Sequence, residues 1–276
     1  MLIKQKKDIA QIKKGGKILA EILAKLTLLC QPGVSSWEID RQAEKMILVA
    51  GGRPAFKKYR THPTEPPFPA TICASFNEEV VHGIPRKQDI LENGDIFSID
   101  IGMEWPYKEN KKSSGRGYFT DTAVTIIVGE VDEKVKKLLQ VTREALEVGI
   151  KTAKPGNSVA EIGRQIEKFV KSKGNYGIVH ALTGHGVGHD IHEEPAVPNF
   201  YDPALKDFIL QPGMVIAIEP MVTLGTGKVK IATDGWTIIT ADKSLSAHFE
   251  HTVIIGNKSN TIATRRPKEK LLSSFC

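Results

Sequence analysis

Apolar residues recur along this chain in two alternating patterns. Between residues 8 and 29, Ile9, Ile12, Leu19, Ile22, Leu23 and Leu26 keep helical spacing. Asp8 stands where it can cap the first turn. Gly15 and Gly16 interrupt the run and weaken it by roughly 1 kcal/mol each relative to alanine; they either admit a close neighbour or set the helix start after them. Residues 133–150 predict a second helix of the same kind. Short apolar, β-branched runs within 94–100, 119–129, 213–219 and 249–256 predict buried strands, the second and fourth stopping at glycine. The proline-rich stretch Pro63, Pro66, Pro67 and Pro69 predicts an irregular loop, and the polar stretch 104–118 predicts a long one.

The pattern repeats. Residues 32–45 read PGVSSWEIDRQAEK and residues 155–168 read PGNSVAEIGRQIEK, identical at nine of fourteen positions, too many for chance. Proline and glycine end the preceding segment, Ser35 and Ser158 are N-caps, and Glu38 and Glu161 three residues on complete capping boxes. Each copy therefore opens a helix. A second pair is GDIFSID (94–100) and GMVIAIE (213–219), each a turn glycine, an apolar strand and a terminal carboxylate. A third is FTDTAVTIIVG (119–129) and FEHTVIIG (249–256). Each half, about 1–130 and 131–256, thus runs helix, helix, then a pair of carboxylate-bearing strands. A duplicated α+β unit about a pseudo-two-fold axis brings Asp100, Asp121, Glu219 and Glu250 together.

Composition narrows the class. With 41% apolar and 25% charged residues the chain is globular rather than disordered. Three cysteines, Cys30, Cys73 and Cys276, are too few for a disulfide scaffold. No apolar run suits a membrane helix and no secretory signal is visible, so the expectation is a cytoplasmic protein that meets no membrane. The net charge of +6 is uneven. Residues 1–17 carry six lysines and one aspartate, and the tail 257–276 carries five basic residues and one acid, so the body between is mildly acidic. The basic ends are either solvated or contact a polyanion such as RNA.

Four carboxylates converging inside a domain cannot all stay ionised without a cation. Neither lysine nor arginine stands in these strands, so a divalent-metal site is the economical reading, with bridging oxygens holding two ions. Histidines in glycine- or proline-bracketed settings are further candidates: His82 in VVHGIP, His185 and His189 in TGHGVGHD, and His192 in DIHEEP. GHGVG lacks the strand and helix context of a phosphate loop.

Together VVHGIP, SID, FTDT, GHGVG, HEEP, IEPM, DGWT and SLSAHFEHT resemble the type I methionine aminopeptidases, in the family's order and over residues 8–256. The resemblance implies a single catalytic domain over 1–276 with the duplicated pita-bread (creatinase/aminopeptidase) α/β fold, a central curved antiparallel sheet with helices outside. It implies removal of the initiator methionine from nascent proteins, with a small second residue preferred, by a monomer. Asp100, Asp121, His185, Glu219 and Glu250 would hold two divalent ions (Co, Mn, Fe or Zn). Asp121 and Glu250 would bridge them. Glu219 would be the general base for an acidified water, His192 would stabilise the oxyanion, and His82 would hold the peptide nitrogen or protonate the leaving amine. Cys73, Phe68 and Trp236 would form the methionine pocket, helped by the loop around Phe56 and Tyr59.

The chain departs from the family pattern at a longer 100–121 connection, at an extended 57–67 loop that leaves Tyr59's contribution open, and at Ile191, where an aromatic is common. It resembles the compact, bacterial-like form. His189 reads as structural, Glu193 and Glu194 as turn-fixing, Cys73 as packing rather than nucleophile, and His248 and His251 as partners of a ligand. Ribosomal RNA is the expected contact for the basic ends and for Lys108, Lys111, Lys112 and Arg116. The alternatives are a proline-directed aminopeptidase or dipeptidase of the same fold, and a non-catalytic pita-bread module that binds RNA or protein.

Overall fold

The structure is a computed structural model that describes residues 2–60, 62–64, 66–107, 117–267 and 269. The first half contains α1 (Lys6–Leu29), α2 (Ser36–Val49), β1 (Arg53–Pro54), β2 (Ile72–Phe76), β3 (Glu79–Val81), β4 (Ile96–Trp105) and β5 (Tyr118–Ile127). The second contains α3 (Glu133–Thr152), α4 (Val159–Lys173), β6 (Gly177–Ile178), β7 (Gly184–Gly186) and β8 (Glu193–Val197). It continues with β9 (Val215–Ile218), β10 (Met221–Thr223), β11 (Val229–Ile231) and β12 (Ile238–Thr240). It closes with β13 (Ser246–His248), β14 (His251–Ile255) and β15 (Asn260–Ile262).

The duplication is visible in the packing. Helices α1 and α2 bury Leu19, Leu23, Leu26, Ile39 and Ile47 against Ile99 and Ile101 of β4. Helices α3 and α4 bury Leu138, Leu146, Ile162 and Ile166 against Ile216, Ile218 and Val253 of β9 and β14. Each half is thus a helix pair on an antiparallel strand pair, β4·β5 in one and β9·β14 in the other. The central layer is not one continuous ladder. A sheet of β1, β4 and β2 with β5 on β4, and a five-stranded sheet β15-β14-β9-β7-β8, meet where β5 faces β14. There Asp121 N donates to Thr252 Oγ1 (3.1 Å), Thr122 Oγ1 to the Glu250 carbonyl (2.8 Å) and Glu250 N to the Ala123 carbonyl (3.1 Å).

Three sequence expectations change, and one open choice is settled. Gln5, not Asp8, is the N-cap of α1; Asp8 occupies the third position of the helix and its carboxylate accepts from Gln5 N (2.9 Å). Gly15 and Gly16 lie inside the helix, and a Cβ on Gly16 would come within 2.7 Å of the Ala263 carbonyl, so the glycines serve close packing. The box at Ser35–Glu38 closes. At Ser158 only the N-cap bond forms, because Glu161 turns to Gln165 instead (2.6 Å). The loop 104–118 is shorter than expected, since Glu104↔Phe119 and Trp105↔Tyr118 still pair in the β4·β5 ladder; Lys108, Lys111, Lys112 and Arg116 lie outside the described residues.

Nor are the basic ends simply solvated. Lys4 is 3% exposed and pairs with Glu193; Arg266 is 9% exposed and pairs with Glu269. Lys6, Lys7, Lys13, Lys14 and Lys17 are exposed on α1. No helix among the described residues is long and apolar enough to cross a membrane.

Candidate metal centre and active site

Strand periodicity places the first two carboxylates. Gly102 pairs with Asp121 across β4·β5, and Asp100 lies two residues from Gly102, so both side chains project from one face. Gly102 has no room for a side chain, because the Phe56 ring would lie 2.7 Å from its Cβ. The other two carboxylates stand where a ladder breaks. β9 pairs with β14 up to Ile218↔His251, and β10 with β13 from Met221↔His248. Between them run Glu219–Pro220 and Phe249–Glu250, and Pro220 has no N–H for the ladder. His185 comes from β7, whose flanking glycines let it run between β8 and β9: a Cβ at Gly186 would sit 2.1 Å from the Glu194 carbonyl.

These elements converge on one cavity of about 310 Å³, lined by Asp100, Asp121, His185, Glu219 and Glu250 together with His82, His192, Phe56, Tyr59, Phe68, Cys73 and Trp236. Ligand atoms of Asp121, His185 and Glu250 all lie within 4.8 Å of one another. His185 Nε2 is 3.3 Å from Asp121 Oδ2 and 3.6 Å from Glu219 Oε1. His185 Nδ1 donates to its neighbour's carbonyl, Gly186 O (2.9 Å), which turns Nε2 toward the carboxylates. His248 Nε2 lies 3.3 Å from Glu219 Oε2.

The electrostatics call for a cation. Burial, reinforced by Asp121, Glu219 and Asp100, holds the Glu250 carboxyl well above the usual range. Burial likewise pushes Asp100 up to about 7, with Asp121 and Glu219 adding to it. Burial alone would lower the His185 pKa, but Asp121 and Glu219 reverse that and raise it to about 9. Asp100 Oδ1 is buried with no hydrogen-bond partner. Four hard oxygen donors, one imidazole and an orphaned buried carboxylate oxygen fit divalent metal.

Two histidines flank this cluster. Desolvation lowers both His82 and His192 to about 4, so both are neutral at pH 7. His82 takes a positive φ of 60°, a sparsely populated conformation for a residue other than glycine. His192 stands at the mouth, its Nδ1 2.7 Å from Tyr59 Oη.

The apolar wall joins residues far apart in sequence. Phe68 and Trp236 meet edge-on at 5.3 Å. Cys73 is buried beside Asp100, and burial raises its thiol well above the usual range, which suits packing and not attack. Ile191 packs behind the wall in the same apolar cluster. The remaining candidates fall outside the cavity. His189 lies 3.4 Å from Asp8. Glu193 accepts from His189 N and Asp190 N and so fixes the turn before His192. His251 points away from the cavity, toward Thr264 and Glu269. The sequence reading left out Tyr59's bond to His192, Leu182, Thr183 and Met221 on the cavity wall, and Arg266 behind β5; Arg266 was masked by its place in a basic tail.

This fold and site belong to a known class. Residues 10–257 match the model of metallopeptidase family M24, and the chain belongs to that family. Within it the chain falls with the methionine aminopeptidases, hydrolases of that class. It is 46% identical over 253 residues to the methionine aminopeptidase of Borreliella burgdorferi, covering 92% of this chain and 94% of the other. The methionine aminopeptidase structure from Thermotoga maritima superposes with a TM-score of 0.87 at 38% identity, covering 96% of this chain and all of that one. The prolidase of Pyrococcus horikoshii shares the fold alone, with a TM-score of 0.72 at 23% identity, covering 97% of this chain and 65% of that one.

Proposed function

We propose that this chain removes the initiator methionine from nascent proteins whose second residue is small, acting as one catalytic unit with two divalent ions. The observation that carries this is one cavity in which Asp121, His185 and Glu250 adjoin a wall of Phe56, Phe68, Cys73 and Trp236. An apolar, polarizable pocket beside a metal centre suits an amino-terminal thioether. Asp100, Asp121, His185, Glu219 and Glu250 would hold the ions, which when bound polarise a carbonyl and acidify water at neutral pH.

The chain's own groups do the rest. Glu219 takes the proton of the attacking water on a carboxylate oxygen, with His248 Nε2 beside it, 3.3 Å from its Oε2. With Tyr59 Oη donating to Nδ1, His192 carries its hydrogen on Nε2 and presents it to the developing oxyanion. His82 binds the scissile peptide nitrogen, and the proton that Glu219 took from the water passes to the leaving amine. The chain supplies metal ligands and pocket wall alike, so the site itself calls for no second copy. The exposed lysines of α1 support contact with ribosomal RNA in the cytoplasm, weakened by salt.

The test is hydrolysis of Met-Ala-Ser by metal-stripped protein before and after Mn²⁺ or Co²⁺ is added, with Glu219→Gln beside it and Ala-Pro-Ala as the competing substrate. Metal-dependent methionine release, lost in Glu219→Gln, is the expected result. Folded protein that cleaves only Ala-Pro-Ala, or nothing with any metal, would overturn the reading.

A further inference from the structure

Thr264 and Arg266 lie against β5, which carries Asp121, and β14, which directly follows Glu250. Arg266 Nη1 donates to Thr122 Oγ1 (3.1 Å) and to the Ala123 carbonyl (3.3 Å) of β5. Both acceptors also serve Glu250. Thr122 Oγ1 donates to the Glu250 carbonyl (2.8 Å), and Glu250 N donates to the Ala123 carbonyl (3.1 Å). Thr264 Oγ1 accepts from Thr252 N (3.0 Å), and Thr252 Oγ1 donates to the Asp121 carbonyl (2.9 Å). Every one of these bonds ends on Asp121, on Glu250 or on a residue within two positions of one of them.

The guanidinium itself is unusual. It is 9% exposed and its charge is met by Glu269, whose Oε2 also accepts from Arg266 N (3.0 Å). Burying such a pair costs about as much as its attraction returns, and apolar residues would hold the segment down as well. A planar fork of donors does what apolar packing cannot: it fixes two oxygens of another strand at defined positions. Arg266 also acts on Glu250 as a charge, opposing the burial that raises that carboxyl, and Glu269 offsets part of it; the hydrogen bonds to β5 add placement to that charge.

We propose that Arg266 is a positioning residue of the metal centre, which from the carboxyl-terminal segment sets the relative placement of Asp121 and Glu250 by holding the two β5 groups, Thr122 Oγ1 and the Ala123 carbonyl, that bond Glu250. The inference rests on the metal-centre reading above. The tail is then part of the site, not a charged appendage.

The experiment uses the full chain, stripped of metal. Mn²⁺ is titrated in by calorimetry, the visible spectrum is recorded with Co²⁺, and thermal unfolding of the metal-free protein is measured for Arg266→Lys, for Arg266→Met/Glu269→Gln and for the neighbouring control Arg265→Met. The double variant removes both charges, so neither is left buried alone. It is expected to bind Mn²⁺ about 10–100-fold more weakly, the usual cost of losing a group that orients ligands, and to shift the Co²⁺ bands. Arg266→Lys keeps the ion pair but not the fork, and falls between; Arg265→Met matches the unmodified chain. Mn²⁺ affinity and Co²⁺ bands unchanged in the double variant, with only a lower Tm, would overturn the proposal and leave Arg266 a structural tie. If the double variant does not fold, unchanged affinity and bands in Arg266→Lys overturn it. An unmodified chain that fails to bind Mn²⁺ would overturn the metal-centre reading itself, which is a different result.

Discussion

Tyr59 Oη lies 2.7 Å from His192 Nδ1, and the two rings meet edge-on with centroids 4.9 Å apart. The contact joins the extended loop after β1 to the turn before β8. With the hydroxyl donating to Nδ1, the hydrogen of the neutral imidazole sits on Nε2 and faces substrate. Tyr59→Phe keeps the ring and removes the hydroxyl. A lost hydrogen bond of about 1.4 kcal/mol corresponds to a roughly tenfold fall in kcat. We expect that fall with KM for Met-Ala-Ser little changed, read from full steady-state curves. A raised KM with unchanged kcat would mean that Tyr59 only walls the pocket.

The duplication was legible because it is written in local chemistry. The Pro-Gly-x-Ser start, the glycine-led strands and their terminal carboxylates need no tertiary information, and they place Asp100, Asp121, Glu219 and Glu250 in one layer. What local pattern could not supply was competition between partners. Asp8 has the chemistry of a cap, but Gln5 precedes it and takes that position. Glu161 has the spacing of a capping box, but Gln165 lies one turn on and takes the carboxylate. Lys4 and Arg266 read as solvated charge because their partners, Glu193 and Glu269, are chosen by the fold. The ladder break at Pro220, which points Glu219 and Glu250 inward, depends on pairing that one strand does not reveal.

Removal of metal gives a second prediction. Metal binds the folded centre and not the unfolded chain, so Mn²⁺ at a hundred times its Kd adds about 2.7 kcal/mol to stability. Glu250→Gln is expected to abolish that gain. In metal-free protein the same substitution is expected to be nearly neutral, within about 1 kcal/mol, because burial and the neighbouring carboxylates already push the Glu250 carboxyl toward its uncharged form. Thermal unfolding with and without Mn²⁺ checks both halves; a gain retained in the variant would remove Glu250 from the ligand set.

Glu79 makes stability depend on pH. It sits three residues before His82, accepts from Phe76 N (2.8 Å), and is pushed up to about 7 by burial. Folding therefore holds a proton that the unfolded carboxyl, near 4.5, releases. The sign follows: this group costs nothing below pH 4.5, and stability is lost as pH rises from there through 7. Glu79→Gln keeps an acceptor for Phe76 N and carries no charge. Relative to the unmodified chain it is expected to gain on the order of 2–3 kcal/mol between pH 4.5 and 8. Denaturant unfolding at several pH values would show the difference; parallel curves would refute the assignment.

Lys4 gives the last prediction. Its side chain is 1% exposed and its Nζ pairs with Glu193 Oε2, while Glu193 Oε1 accepts from His189 N (2.6 Å) and Asp190 N (2.9 Å). The amino-terminal segment therefore holds the carboxylate that shapes the turn next to His192. Lys4→Met leaves that carboxylate buried beside an apolar side chain, and breaking a buried pair from one side costs about 3–5 kcal/mol. We expect the lower end of that range, since the two backbone N–H groups still serve Glu193. Lys4→Met/Glu193→Gln removes the stranded charge and should recover more than half of the loss. Its kcat should stay low, because a neutral amide is a weaker acceptor for the turn that carries His192. Recovery of stability without recovery of kcat separates placement of His192 from simple anchoring of the segment. If both return together in the double variant, Lys4 acts on stability alone.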